Sequence, residues 1–162
     1  MKTLSTILIY GIPGSVLISA VLLGMIWVNP RLMLQDYPKD VQAAVPPKAP
    51  EEKRQTLYWS FLFWLLLIGF PSASALSAKA AHAGFLDLFL SAFGVLFVFN
   101  LVDWLILDWL IFCTITPRFA VLPGTEGMAG YKNYAMHFRG FVIGTVLSVV
   151  LGLIIAAIVV IV

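Results

Sequence analysis

The chain has 162 residues, 61% of them hydrophobic and only 11% charged, and its formal net charge is +2. A soluble domain carries roughly 45–50% apolar and about 25% charged residues, so this chain has too little polar surface to coat itself in water, and its mean hydropathy of +0.99 agrees. One cysteine, Cys113, excludes an internal disulfide and any multi-cysteine metal centre. No basic run is long enough to imply a nucleic-acid partner.

A membrane-spanning helix needs about 20 mostly apolar residues to cross roughly 30 Å of hydrocarbon. Four stretches qualify, and they predict an all-α, polytopic four-helix membrane bundle forming one domain over 1–162. The first runs from about Leu4 to Val28 and stops at Asn29-Pro30. It is longer than the apolar core of a signal peptide and ends in Trp27-Val28-Asn29-Pro30-Arg31, so it reads as a retained helix. The loop 29–55 that follows holds Pro30, Pro38, Pro46, Pro47 and Pro50 and should be irregular, with at most a short helix near Pro38–Val45.

The second helix is expected over about Leu57–Leu76, preceded by a proline and carboxylates suited to a helix start. A short link of small residues, 77–83, predicts a tight antiparallel hairpin into the third helix, Gly84 to about Ile115. At that length the third helix must tilt or project beyond the bilayer. Loop 116–139 contains Pro123-Gly124, Gly127 and Gly130 and is turn-rich, while Tyr131–Arg139 looks helical and could extend the fourth helix, about Gly140–Val162.

Charge predicts orientation. The two long loops carry Arg31, Lys39, Lys48, Lys53, Arg54, Arg118, Lys132 and Arg139, against Lys2 and Lys79 on the opposite side. By the positive-inside rule both long loops are expected in the cytoplasm of a plasma-membrane protein, with both termini outside. Trp27, Tyr58, Trp59, Trp109, Tyr131 and Tyr134 fall near the same boundary, where amphipathic rings prefer to sit.

The third helix holds the residues most costly to place. Asn100, Asp103, Trp104, Leu107 and Asp108 follow the spacing of one helical face. A charge at mid-helix costs roughly 2.5–3.5 kcal/mol even on the lenient insertion scale, so these groups should face the bundle interior or water. For Asp108 the plain expectation is an ion pair with Arg118, Lys132 or Arg139; for Asp103 it is a hydrogen bond to a Ser or Thr of a neighbouring helix, since no Lys or Arg lies inside the apolar spans. Asp87 sits in the first turn of the same helix, where a carboxylate favours the dipole.

Glu126, Tyr131, Lys132, His137 and Arg139 form a second group, on the expected cytoplasmic side, that read functionally would close over the polar end of the third helix. No H-x-x-x-H or E-x-x-H spacing is present, so no metal site is predicted, and Gly124, Gly127 and Gly130 lack the strand and lysine of a phosphate loop. No cofactor motif occurs. On the fourth helix Gly140, Gly144, Ser148 and Gly152 recur every fourth residue, a stripe that permits close helix packing within the chain or homo-oligomerisation through this helix. Membrane lipids are the other expected partner.

Three functional readings follow. In the first, the chain is a small binding or transport unit whose third-helix carboxylates bind or relay a cation or proton. In the second, it is a membrane enzyme acting on a lipid-soluble substrate at a cytoplasmic-side site. In the third, it is an accessory subunit whose polar residues only organise the bundle.

Overall fold

The computed structural model describes residues 2–162, which form helices and turns with no strand among them. The helices are α1 (Lys2–Val28), α2 (Lys39–Ala43), α3 (Pro50–Ala80), α4 (Phe85–Val102) and α5 (Tyr134–Ile161). A π-helix, Asp103–Ile115, continues α4 without a break. Four of the resulting rods are long and apolar enough to cross a membrane: Thr3–Val28, Pro50–Ala80, Phe85–Ile115 and Tyr134–Ile161. Large apolar side chains such as Ile9, Phe61 and Ile143 point outward and stay exposed, as a lipid-solvated surface requires. This is a membrane protein built as an all-α bundle.

The helix ends follow from named hydrogen bonds. Asn29 stops α1 and its Oδ1 accepts from Arg31 N at 3.0 Å, opening a 3-10 helix over Pro30–Asp36. α3 begins seven residues before the expected Leu57, because Pro50 suits the first turn and Glu52 accepts from the Ala49 backbone N–H at 2.8 Å. The same carboxylate takes Arg31 Nε at 2.7 Å and Asn29 Nδ2 at 3.2 Å, so it ties the ends of α1 and α3 together. α3 runs on to Ala80, past the expected Leu76. There Lys79 Nζ donates to the Val159 and Val160 carbonyls at 2.7 and 3.3 Å, placing a cation at the C-terminus of α5. α5 starts at Tyr134, six residues before Gly140, since Asn133 Oδ1 caps Met136 N at 3.0 Å.

α4 is the central rod and packs against α1, α3 and α5. At the hairpin end Ala75 and Ala78 of α3, Leu88 and Ala92 of α4, and Ile155, Ala156 and Val159 of α5 form one buried cluster. Along α5, Gly144 lies against Asn100, and Gly152 lies against Phe93, where a Cβ would stand 3.1 Å from the Phe93 Cβ. Ser148, between them, is buried and bonds back to the Gly144 carbonyl at 2.7 Å. The small-residue stripe is thus occupied by α4 from Gly144 to Gly152; Gly140, at its end, is exposed with open space around it.

At the opposite end the two long loops form a single cap. Leu34 and Val41 from the first loop pack with Leu122 and Tyr131 from the second. Tyr37 Oη donates to the Ala120 carbonyl at 2.8 Å, and Asp40 Oδ2 accepts from Gly130 N at 3.1 Å. Gly130 leaves room for that carboxylate, which a Cβ would strike. The proline-rich loop is therefore ordered by partners in a segment almost ninety residues away, and its short helix α2 falls inside the expected Pro38–Val45.

Candidate functional site

The π-helix decides what the third rod presents. In an α-helix residues five apart diverge by about 140°; a π-helix bonds i to i+5 and brings them over one another. Thr116 N bonds the Ile111 carbonyl at 2.8 Å and Thr114 Oγ1 the Trp109 carbonyl at 2.7 Å, both five residues back. The segment ends at Thr116, whose φ of 49° is left-handed. Lys132 Nζ caps it, donating to the Cys113 and Thr114 carbonyls at 2.5 and 3.0 Å and to Thr116 Oγ1 at 2.7 Å. Asp103 and Asp108, five apart, consequently line the same cavity.

That cavity has a volume of about 690 Å³ and lies at the loop end between the helices. Its walls include Trp59, Phe63 and Trp64 of α3, Phe99 of α4, and Met136, His137 and Gly140 of α5, and the first loop covers it with Gln35, Asp36, Tyr37 and Lys39. A smaller chamber of about 70 Å³ adjoins it, and Asp36, Asp108 and His137 border both.

His137 sits on the first turn of α5, placed there by the Asn133 cap, and its Nδ1 lies 2.9 Å from Asp108 Oδ1. This corrects the expected pairing of Asp108 with Arg118, Lys132 or Arg139. Lys132 is committed to the end of the π-helix, while Arg118 and Arg139 are exposed. In a neutral imidazole whose Nδ1 donates to a carboxylate, the other ring nitrogen is the acceptor. The Asp103 carboxylate has neither ion pair nor hydrogen bond among the described residues, so the Ser or Thr partner expected for it is absent.

Asp36 joins the group from the 3-10 helix. Gln35 Nε2 donates to its Oδ2 at 2.8 Å. Burial pushes its carboxyl above the ordinary range, with Lys48 and Gln35 opposing and Asp108 adding to the shift. Lys48 supports the turn from below, donating to the Leu32 carbonyl, to Gln35 Oε1 and to Thr56 Oγ1, and burial lowers its ammonium from the usual lysine range. Tyr37 is raised well above a free phenol by burial, so it stays a hydrogen-bond donor to Ala120.

The remaining sequence candidates separate. Asn100 is buried and donates to the Phe141 carbonyl and to Thr145 Oγ1, both at 3.0 Å; it joins α4 to α5 and does not line the cavity. Trp104 turns the same way and stacks on Phe141 at 4.3 Å, so Asn100 and Trp104 of the expected single face meet α5 while Asp103 and Asp108 line the cavity. Glu126 is exposed and accepts from Gly124 N at 3.2 Å. It borders a separate surface depression with Arg118 and Lys132. Arg139 lies outside both. Asp87 accepts from Thr3 Oγ1 at 3.0 Å, a structural tie. Asp36 has no helical or motif signal in the sequence; its one clue is the apolar Leu32-Met33-Leu34 run before it, which turns this loop inward.

Among the described residues no three His, Cys, Asp or Glu side chains converge to hold a metal ion. Compared with protein-family models, curated proteins and solved structures, the chain finds no match.

Proposed function

We propose that this protein is a small membrane-embedded binding unit that takes up a cationic group, or a proton, on Asp103 and Asp108 beside His137. The observation that carries the reading is Asp103, a carboxylate bordering a large cavity with no cation of its own. Asp36 and Asp108 line the same space and Lys39 is the one lysine or arginine there among the described residues, so the cavity is formally acidic. A positive guest would gain from these carboxylates what no neighbouring side chain supplies. The charge bias of the loops supports a cytoplasmic location for this end.

A second reading has specific support in the Asp108–His137 pair. A carboxylate that orients one imidazole nitrogen and leaves the other as acceptor is an acid–base arrangement, and an enzyme acting on a lipid-soluble substrate would use it.

Trp59 and Trp64 line the cavity and report on its contents. Butylammonium is expected to change the tryptophan fluorescence of the detergent-solubilised protein, with affinity falling as protons compete at lower pH. Asp103→Asn should weaken that response about tenfold with little change in melting temperature. An unaltered response in a folded Asp103→Asn protein would rule the reading out. In sealed vesicles Lys48 and Lys132 should react with an impermeant amine reagent from one and the same side, the cytoplasmic one.

A further inference from the structure

We propose that the guest of the loop-end cavity is a single-chain amphiphile with a primary amine head, admitted from the bilayer through the gap between α3 and α5; this rests on Asp103 and Asp108 being a cation site. Elsewhere small residues bring neighbouring helices close together. Gly14 and Gly24 of α1 sit against Phe70 and Trp59 of α3, and Gly144 and Gly152 of α5 sit against α4. α3 and α5 meet at the hairpin end, through Ala75, Ala78, Ile155 and Ala156 and through Lys79 on Val159. At the loop end the same two helices face each other across the cavity: Trp59, Ser60 and Trp64 stand on one side, Met136 and Gly140 on the other.

Gly140 makes this an opening. It is exposed, and a Cβ built on it would meet nothing within 4 Å. It precedes Phe141, whose carbonyl accepts from Asn100, so the gap stands level with the stretch of α4 that leads into Asp103. Trp64 on the facing helix is 51% exposed. Just outside, Phe61 and Ile143 are 71% and 60% exposed and present the surface that acyl chains cover.

The lining selects among lipids. Its inner part carries the carboxylates, which attract an ammonium and repel a phosphate. Its wall of Trp59, Phe63, Trp64 and Phe99 suits a hydrocarbon chain, and indole faces also attract a cation. A neutral head could donate a hydrogen bond to Asp103 but would leave its charge unbalanced. The volume of about 690 Å³ is that of an ordinary small-molecule pocket, room for one chain and a compact head.

Tetradecylamine bearing a mid-chain diazirine, in phosphatidylcholine nanodiscs with the full-length protein, tests this. After irradiation, label should concentrate on the lining residues Trp59, Ser60, Phe63, Trp64, Met136 and Gly140, about tenfold above the chain-matched alcohol. Gly140→Leu and Ser60→Phe, which narrow the gap from opposite helices, should each lower it by a similar factor in protein that melts as the wild type does. Equal labelling by amine and alcohol overturns the proposal, as does label confined to outer residues such as Phe61 and Ile143. Undiminished labelling in whichever of the two variants folds does the same. Butylammonium binding to the wild type separates the two levels of failure. If it binds while the long amine does not localise, the amphiphile and its route are wrong and the cation site stands; if it does not bind, both readings fall.

Discussion

Asp108 and His137 stand 2.9 Å apart, Oδ1 to Nδ1, across the contact between the π-helical end of the third rod and the first turn of α5. Each depends on a backbone feature for its position: the wide turn rotates Asp108 toward the cavity it shares with Asp103, and the Asn133 cap starts α5 early enough to bring His137 down to it. Asp108→Leu removes the acceptor that selects the imidazole tautomer. The 15N spectrum of His137 should then lose its Nδ1-protonated signature, and butylammonium affinity should fall about tenfold. Retention of that tautomer in the variant would mean Asp108 does not orient the ring.

The glycines of α5 should rank by what a methyl group would meet. Gly144→Ala drives a Cβ into Asn100 and should cost about 1–3 kcal/mol, the usual range for overpacking. Gly152→Ala meets the Phe93 backbone nitrogen at 3.2 Å and should cost less. Gly140→Ala enters open space and should be neutral or stabilising by up to about 1 kcal/mol. Denaturation in mixed micelles checks the order, and a Gly140→Ala protein weaker than Gly144→Ala would show that the stripe packs elsewhere.

Asn100→Ala separates packing from binding. It removes two hydrogen bonds to α5 and opens a small void beside Gly144, and membrane hydrogen bonds are worth about 0.6 kcal/mol on average and under ~2 kcal/mol each. Stability should drop by about 1–2 kcal/mol, while butylammonium affinity changes less than threefold. A loss of binding as large as that of Asp103→Asn would assign Asn100 to the site.

Asp36 makes stability depend on pH in a defined direction. Its folded carboxyl lies above the ordinary value of 3.8 because burial disfavours the charge, with Lys48 opposing and Asp108 reinforcing. A raised acid holds its proton more tightly in the folded state, so its contribution is most favourable below 3.8 and is lost as pH climbs through the raised value. Asp36→Asn cannot ionise. The stability of the variant relative to wild type should therefore increase from about pH 4 toward pH 7; a constant difference across that interval would contradict a raised Asp36.

The number and type of the spanning elements were legible in the residues themselves, because hydrocarbon thickness sets a length of apolar chain that composition alone reveals. The four rods, the tight hairpin near His82 and the interruption of the third rod by acids follow from that. Asn100, Asp103 and Asp108 were recognisable as expensive groups, but not what each one faces. An α-helical periodicity put them on one side, and the wide turns of Asp103–Ile115, which no proline or glycine inside that segment announces, redistributed them. Asp36 and the Asp108–His137 contact belong wholly to the folded chain. Asp36 is placed where loops far apart in sequence close on each other through Tyr37, Asp40, Ala120 and Gly130, and the Asp108–His137 contact where two rods pack; local propensity carries no information about such partners.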